Sequence, residues 1–227
     1  ASPAGWAQAQ PLVKTHLAEL AQHHHALAQK TKAPADVQEA VRWYREVLQA
    51  FPGDADALQS RFLLAELLFE DRQFAQANAE FEAVAYRAPG VIQPTAFARA
   101  ADAGYAALLS LAAQEKVASD TAARAALQRQ AVTGSLRFAD TFAGDPRAAA
   151  VLTNAAEQLY TLGEGARASS VAQRALAMQP VPAPELRRVA WTVVAHQAFE
   201  RGAFAPAEAA YGEVLALTPS DASGRAA

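Results

Sequence analysis

The residues best suited to metal chemistry are three adjacent histidines, His23, His24 and His25. Imidazole is a common zinc ligand. Successive side chains of an α-helix point about 100° apart, however, so three adjacent ones cannot converge on one ion. His16 lies seven residues before His23, too far away to share a ligand position. The run therefore predicts solvated or partly packed helix residues, and no metal site.

Acid–base and phosphate chemistry also lack a suitable set of residues. His196 stands alone, with no cysteine or carboxylate at a nucleophile or ligand spacing. Glu66 and Glu70 are four residues apart on one helix face, whereas the two carboxylates of a glycosidase flank a cleft from different elements. The glycines of GEG at 163–165 are typical of a turn between helices. The sequence thus predicts a protein that is not an enzyme and that uses no cofactor.

Composition narrows the class of partner. The net charge is −3 and the basic residues are dispersed, which argues against nucleic-acid binding. No apolar run approaches the length of about 18 residues that spans a bilayer, so this segment is not expected to insert into a membrane. Cysteine is absent, which is compatible with the cytoplasm and with a bacterial envelope compartment. The remaining partner is another protein or peptide.

Alanine and proline reveal the elements that carry these residues. Alanine fills 61 of the 227 positions, which favours closely packed helices. Five prolines follow helical segments, at Pro52, Pro89, Pro146, Pro180 and Pro219. Eight residues before them stand Tyr44, Phe81, Phe138, Ala172 and Tyr211, and twelve residues before them stand Ala40, Ala77, Gly134, Ala168 and Ala207. A recurring aromatic and a recurring small residue predict repeated helix pairs.

This spacing resembles the tetratricopeptide repeat (TPR), in which a helix A and a helix B pack together as one unit. In the last repeat the matching residues are Trp191, Val194, Ala195, Gly202, Phe204, Ala207, Tyr211, Val214 and Pro219. In the second repeat they are Leu64, Ala65, Leu68, Phe74, Ala77, Phe81 and Pro89. The segments 21–52 and 149–180 match less completely. The resemblance implies an all-α, right-handed solenoid of about five helix hairpins.

The repeats predicted from this register are 12–52, 53–89, 90–146, 147–180 and 181–219. The predicted helices are 12–31, 36–50, 54–70, 74–87, 94–114, 120–142, 147–162, 166–178, 184–201 and 205–217. The middle repeat is longer than the others, so its two helices are expected to be longer. Residues 1–11 and 220–227 are expected to be loose, and the absence of a polar capping helix after 219 suggests a piece of a longer protein.

The resemblance also implies a binding groove lined by helix A of each repeat. The residues that it assigns to this groove are Gln59, Phe62, Glu66, Phe69, Glu70, Glu157, Tyr160, Thr192, His196, Phe199 and Glu200. An aromatic recurs beside acidic residues, which suits a peptide with apolar anchors and basic flanks. The alternative is that these aromatics pack against the neighbouring repeat.

The expected function is a protein-binding scaffold without catalytic activity. Resemblance to repeat proteins of bacterial envelopes favours the periplasm or association with the outer membrane, with the cytoplasm as the alternative. A rival function is the helical accessory domain of a larger enzyme, such as a lytic transglycosylase. A third is an oligomeric spacer.

Overall fold

The computed structural model describes residues 3–86 and 97–218, and in these ranges it contains ten α-helices and no strand. The helices are α1 Pro3–Thr31, α2 Pro34–Ala50, α3 Ala57–Glu70, α4 Phe74–Ala85, α5 Ala100–Val117, α6 Thr121–Thr141, α7 Ala148–Thr161, α8 Gly165–Leu176, α9 Pro184–Glu200 and α10 Phe204–Ala216. The all-α prediction is therefore confirmed. Pro89, Pro219 and the segment 220–227 lie outside the described residues.

Burial follows the register that the prolines indicate. The small residues Ala40, Ala77, Ala168 and Ala207 are all buried at helix crossings. Alanine at these positions lets the backbones of packed helices approach closely. Four of the five positions eight residues before the prolines are also buried, namely Tyr44, Phe81, Phe138 and Ala172. The fifth, Tyr211, is half-buried.

The chain divides into two compact units, unit 1 over Ala1–Val117 and unit 2 over Ala118–Ala227. In unit 1 each of the helices α1 to α5 packs on the next one along the chain. In unit 2 the helices α6 to α10 do the same, and α7 also packs on α9. The core of unit 2 contains Leu152, Leu159 and Val193 from these two helices.

Local signals fix several helix ends. The Asp120 carboxylate accepts a hydrogen bond from the Ala123 amide at 2.7 Å, so Asp120 caps α6. Pro34 and Pro184 occupy the first positions of α2 and α9, where a missing N–H costs nothing. Gly163 and Gly202, both at positive φ, lie just after the ends of α7 and α9.

Two helices differ most from the predicted bounds. The first helix begins at Pro3 rather than at 12 and continues through Pro11, so residues 3–11 are helical rather than loose. The fifth begins at Ala100, and residues 94–96 of its predicted range lie outside the described part. The helices α5 and α6, with 18 and 21 residues, are longer than the other described helices except α1, which has 29 residues. The division between the units falls between α5 and α6.

Candidate functional site

Unit 1 contains a cavity of about 310 Å³ that is lined mainly by the first helices of successive repeats, α1, α3 and α5. Four residues that the sequence assigns to a groove meet there, namely Phe62, Glu66, Phe69 and Glu70. The other lining residues are Gln29, Phe81, Ala106 and Leu109. The floor of this cavity is thus aromatic and aliphatic, and its rim is polar.

Phe62 belongs to the core more than to an open surface, because its side chain is 2% exposed. Its ring packs edge-on against Phe81, with the ring centres 5.5 Å apart. The guanidinium carbon of Arg99 lies 3.7 Å from the centre of the Phe62 ring. Phe62 therefore forms the base of the cavity. The prediction that it lines an accessible groove is wrong, because its side chain is buried.

Both acidic residues of the cavity have basic partners from neighbouring helices or turns. Glu66 Oε1 lies 3.2 Å from an Arg99 guanidinium nitrogen, and Glu70 Oε2 lies 3.5 Å from Lys32 Nζ. All four side chains are more than a third exposed, so solvent screens these ion pairs. The rim of the cavity consequently offers carboxylates that already attract cationic groups.

Phe69 is half-buried and forms an edge-on pair with Phe74, with ring centres 5.2 Å apart. It lines the cavity together with Leu109 of α5, an exposed leucine. Gln59, by contrast, lines a different cavity of unit 1, of about 300 Å³, with Tyr44 and Leu63. The structure therefore separates Gln59 from the other predicted groove residues of repeat two.

A polar network lies beside the cavity. The His25 Nδ1 and the Tyr44 hydroxyl are 3.0 Å apart, and Gln29 Nε2 lies 3.0 Å from His25 Nε2. A neutral imidazole satisfies both bonds when Nδ1–H donates to Tyr44 and Nε2 accepts from Gln29. Burial lowers the pKa of His25, and burial raises the pKa of Tyr44 to about 12, helped by the negative charge of Glu66.

In unit 2, three of the predicted residues contact one another. The Tyr160 hydroxyl donates a hydrogen bond to Glu200 Oε1 at 2.5 Å, and this bond raises the pKa of Tyr160. His196 lies between two aromatic rings, 5.7 Å from the Tyr160 centre and 5.8 Å from the Tyr211 centre. This set is a row of three tilted rings, with the Glu200 carboxylate bonded to the Tyr160 hydroxyl.

The other predicted residues of unit 2 are arranged separately. Phe199 is 57% exposed and pairs edge-on with Phe204 at 5.7 Å between ring centres. The Thr192 hydroxyl donates to the Arg188 carbonyl in its own helix, and Glu157 is exposed on α7. Among the aromatic residues assigned to the groove, Phe199 is exposed, whereas Phe69 and Tyr160 are half-buried.

The histidine run of α1 packs against the aromatics of α2. His24 stacks on Trp43 with ring centres 6.1 Å apart, and His25 meets Tyr44 edge-on at 5.7 Å. His23 is exposed. Within residues 3–86 and 97–218, no group of three or more His, Cys, Asp or Glu residues is placed to hold a metal ion. In the same ranges no helix combines the length and hydropathy needed to cross a membrane.

Sequence reasoning missed the residues that complete the unit 1 cavity. Arg99 and Leu109 come from the early part of the stretch 90–146, where the repeat pattern fails and no register assigns positions. Arg99 and Phe62 are 37 residues apart in the sequence, so no local pattern indicates their cation–aromatic contact. The only cue in the sequence is that Arg99 directly precedes the long helix α5, while the aromatic and acidic residues lie earlier, on α3.

No protein-family model and no curated protein matches the chain. Among solved structures, the chain is similar to the MamA protein, with 14% identity, 92% of this chain and 98% of that chain covered, and a TM-score of 0.52. It is also similar to the TPR protein TTC0263 of Thermus thermophilus, with 19% identity, 88% and 93% covered, and a TM-score of 0.41. A third is PilF of Pseudomonas aeruginosa, with 13% identity, 91% and 80% covered, and a TM-score of 0.43.

These likenesses concern the fold. The MamA likeness extends over nearly all of both chains. The chain therefore has an all-α helical-repeat fold.

Proposed function

We propose that the protein is a non-catalytic scaffold that binds a peptide segment of another protein in the unit 1 cavity. The observation that carries this proposal is that cavity of about 310 Å³, which has an apolar floor and a carboxylate rim. Its volume lies within the range of about 300–1,000 Å³ that is usual for ligand sites. Helical-repeat proteins use the surface formed by successive repeats for binding.

The apolar part of the cavity selects for a bulky side chain. Phe69 and Phe81 supply aromatic surface, and Leu109 is partly exposed at the opening. Large apolar side chains that enter such pockets dominate the affinity of most protein interfaces. A leucine, methionine or phenylalanine of the partner is the expected anchor.

The rim selects for basic residues beside that anchor. In the free protein, Lys32 and Arg99 lie where cationic groups of a partner would lie. Exposed ion pairs of this kind contribute about 0–1 kcal/mol, so exchanging them for pairs with a ligand costs little. Glu70 can therefore accept a lysine or arginine from the partner while Lys32 turns to solvent. Glu66 can accept a second cation while Arg99 stays on the Phe62 ring.

The predicted residues of unit 2 form a second contact surface in this proposal. Phe199 supplies exposed aromatic area, and Glu157 supplies an exposed acidic group on α7. Tyr160, His196 and Glu200 are engaged with one another, so their contribution is a preformed polar-aromatic patch. A surface of this kind contacts a partner protein without a cavity.

Selection from a displayed random peptide library tests the proposal without knowledge of the natural partner. We expect the selected peptides to share one large apolar residue with lysine or arginine within a few positions. Raising the salt concentration should weaken their binding, because part of it is electrostatic. Selected sequences without basic enrichment, or with binding that survives replacement of the apolar residue by alanine, would contradict this function.

We also propose a bacterial envelope location, on the strength of sequence resemblance alone. Fractionation of the native host with an antibody to the protein tests it. Recovery with the periplasmic or outer-membrane fraction is expected, and recovery with the cytoplasmic marker would refute this location.

A further inference from the structure

Unit 2 contains a second cavity, of about 440 Å³, that includes none of the predicted groove residues. One wall is α8, which contributes Ser169, Ser170 and Gln173. The other wall is the end of α9 and the start of α10, which contribute Gln197 and Arg201 among others. The site therefore combines hydroxyl, amide and guanidinium groups.

Gln197 is the most informative residue of this cavity. It is 9% exposed, it lines the cavity, and no hydrogen bond joins its side-chain amide to the described residues. Its Oε1 rests on Gly165, where an added Cβ would lie 1.7 Å from that oxygen. Gly165 thus provides the space that holds the amide at the cavity wall. No fully buried side-chain nitrogen or oxygen of the described residues lacks a partner, so the Gln197 amide reaches the surface of the cavity and can bond a ligand there.

Two positive features border the same space. Arg201 is exposed and takes part in none of the ion pairs among the described residues. The N-terminus of α10 is not capped by a side chain, since its N-cap residue is Ala203. The start of α10 carries a partial positive charge, although Pro206 has no N–H and the Ala207 amide already donates to the Ala203 carbonyl. Both features favour a negatively charged group.

We propose that this cavity binds a carboxylate attached to a short aliphatic group. Arg201 pairs with the carboxylate, the Gln197 side-chain amide donates a hydrogen bond to it, and the partial positive charge at the start of α10 favours its negative charge. Val194, Ala198 and Pro206 line the remainder and cover the aliphatic part. The ligand is either a free small acid or the C-terminal residue of a peptide, since both present the same group. This binding does not depend on the proposed function of unit 1.

Titrations followed by amide NMR test the proposal with four probes. Isovalerate and N-acetyl-leucine carry the carboxylate, and isovaleramide and N-acetyl-leucinamide are their neutral counterparts. We expect both acids to shift the Gln197 side-chain amide and the first backbone amides of α10 in a saturable way, at constant ionic strength. Each neutral amide should bind at least about tenfold more weakly, because it loses charge-assisted bonds. Tighter binding of N-acetyl-leucine than of isovalerate would identify the C-terminal residue of a peptide as the ligand. Tighter binding of isovalerate would identify a free small acid.

Two variants and one control locate the site. Arg201→Gln and Gln197→Leu should each weaken binding of the acids by about tenfold or more, with the melting temperature retained. Arg188→Gln removes a positive charge from the same helix away from the cavity and should leave binding unchanged. The proposal is overturned if no acid gives saturable shifts, if acids and amides bind equally, or if Arg188→Gln weakens binding as much as Arg201→Gln.

Discussion

Two junctions between helices have the same length, share three of six residues and have different surroundings. FEDRQF at 69–74 joins α3 to α4 in unit 1, and FERGAF at 199–204 joins α9 to α10 in unit 2. In both, the two phenylalanines form an edge-on pair, with ring centres 5.2 Å and 5.7 Å apart. Phe74 is nevertheless half-buried, whereas Phe204 is 65% exposed.

The cause of the difference is the next helix. In unit 1, α5 packs on α4, and Gln114 Nε2 donates a hydrogen bond to the Phe74 carbonyl at 3.4 Å. In unit 2, no described helix follows α10. Repeat register thus decides which residues pair, and the neighbouring element decides whether the pair is core or surface. The predictions below compare matched positions on this basis.

The largest expected effect is at the aromatic position of the second helix in each repeat. Phe81→Ala should lower the free energy of unfolding by about 3–5 kcal/mol, since Phe81 is buried at the base of the unit 1 cavity. The matched change Tyr211→Ala should cost clearly less, because Tyr211 is half-buried. Urea unfolding of both variants measures the difference. Equal losses would mean that α10 is covered as fully as α4.

A smaller effect is expected at the left-handed position of the two turns. Arg72 and Gly202 occupy the same place in their turns, at φ 60° and 73°. Gly202→Arg should cost about 1 kcal/mol, because the strain of a side chain at this backbone angle exceeds the gain from a less flexible unfolded chain. Arg72→Gly should stabilise the protein by a similar amount, for the same reason in reverse. Thermal unfolding of the exchanged pair tests this, and a neutral Gly202→Arg would contradict it.

The aromatics at the end of helix A should respond more weakly. Phe69→Ala is expected to cost about 1 kcal/mol, because part of its ring is already in solvent. Phe199→Ala should stay within about 0.5 kcal/mol of the native protein, as exposed substitutions usually do. Should both variants melt as early as Phe81→Ala, these aromatics belong to the core and the groove assignment fails.

The smallest effect concerns pH and unit 1. Burial lowers the pKa of His25 below its usual value of 6.5, so the unfolded chain binds this proton more readily than the folded one. The corresponding stability is present above pH 6.5 and is lost as the pH falls through the lowered pKa. Replacing His25 by Gln should reduce the loss of stability between about pH 7.5 and about pH 5, measured by urea unfolding. The same change at the exposed His23 is the control, and an equal effect there would contradict the role of burial.

The repeat register could be predicted because it depends on local spacing. Ala40, Ala77 and Phe81 recur at fixed distances from prolines, and the same distances place them at helix crossings. Pro11 misled the prediction of α1, since proline usually marks a helix start, yet the helix runs through it. The repeat register predicts which face of a helix is apolar, but it does not predict which neighbouring helix packs on that face.

The sites depend on contacts between distant residues, and these were not predictable. Arg99 stacks on Phe62 from a stretch without a register, and this contact helps to place Phe62 in the core. Gln197 rests on Gly165, a glycine whose sequence context indicated a turn and nothing more. In both cases the decisive feature is the space left by another helix, which no single segment encodes.

The most direct test of the account compares one substitution at two exposed leucines. Leu109 is 45% exposed at the unit 1 cavity, and Leu215 is 74% exposed on α10. Leu109→Arg adds bulk and positive charge at the opening, so it should weaken binding of a library-selected basic-apolar peptide by at least about 2 kcal/mol, roughly 30-fold. Leu215→Arg should leave the affinity unchanged, with both variants folded by circular dichroism. Equal affinity of the Leu109→Arg variant and the native protein in a calorimetric titration would contradict binding in the unit 1 cavity.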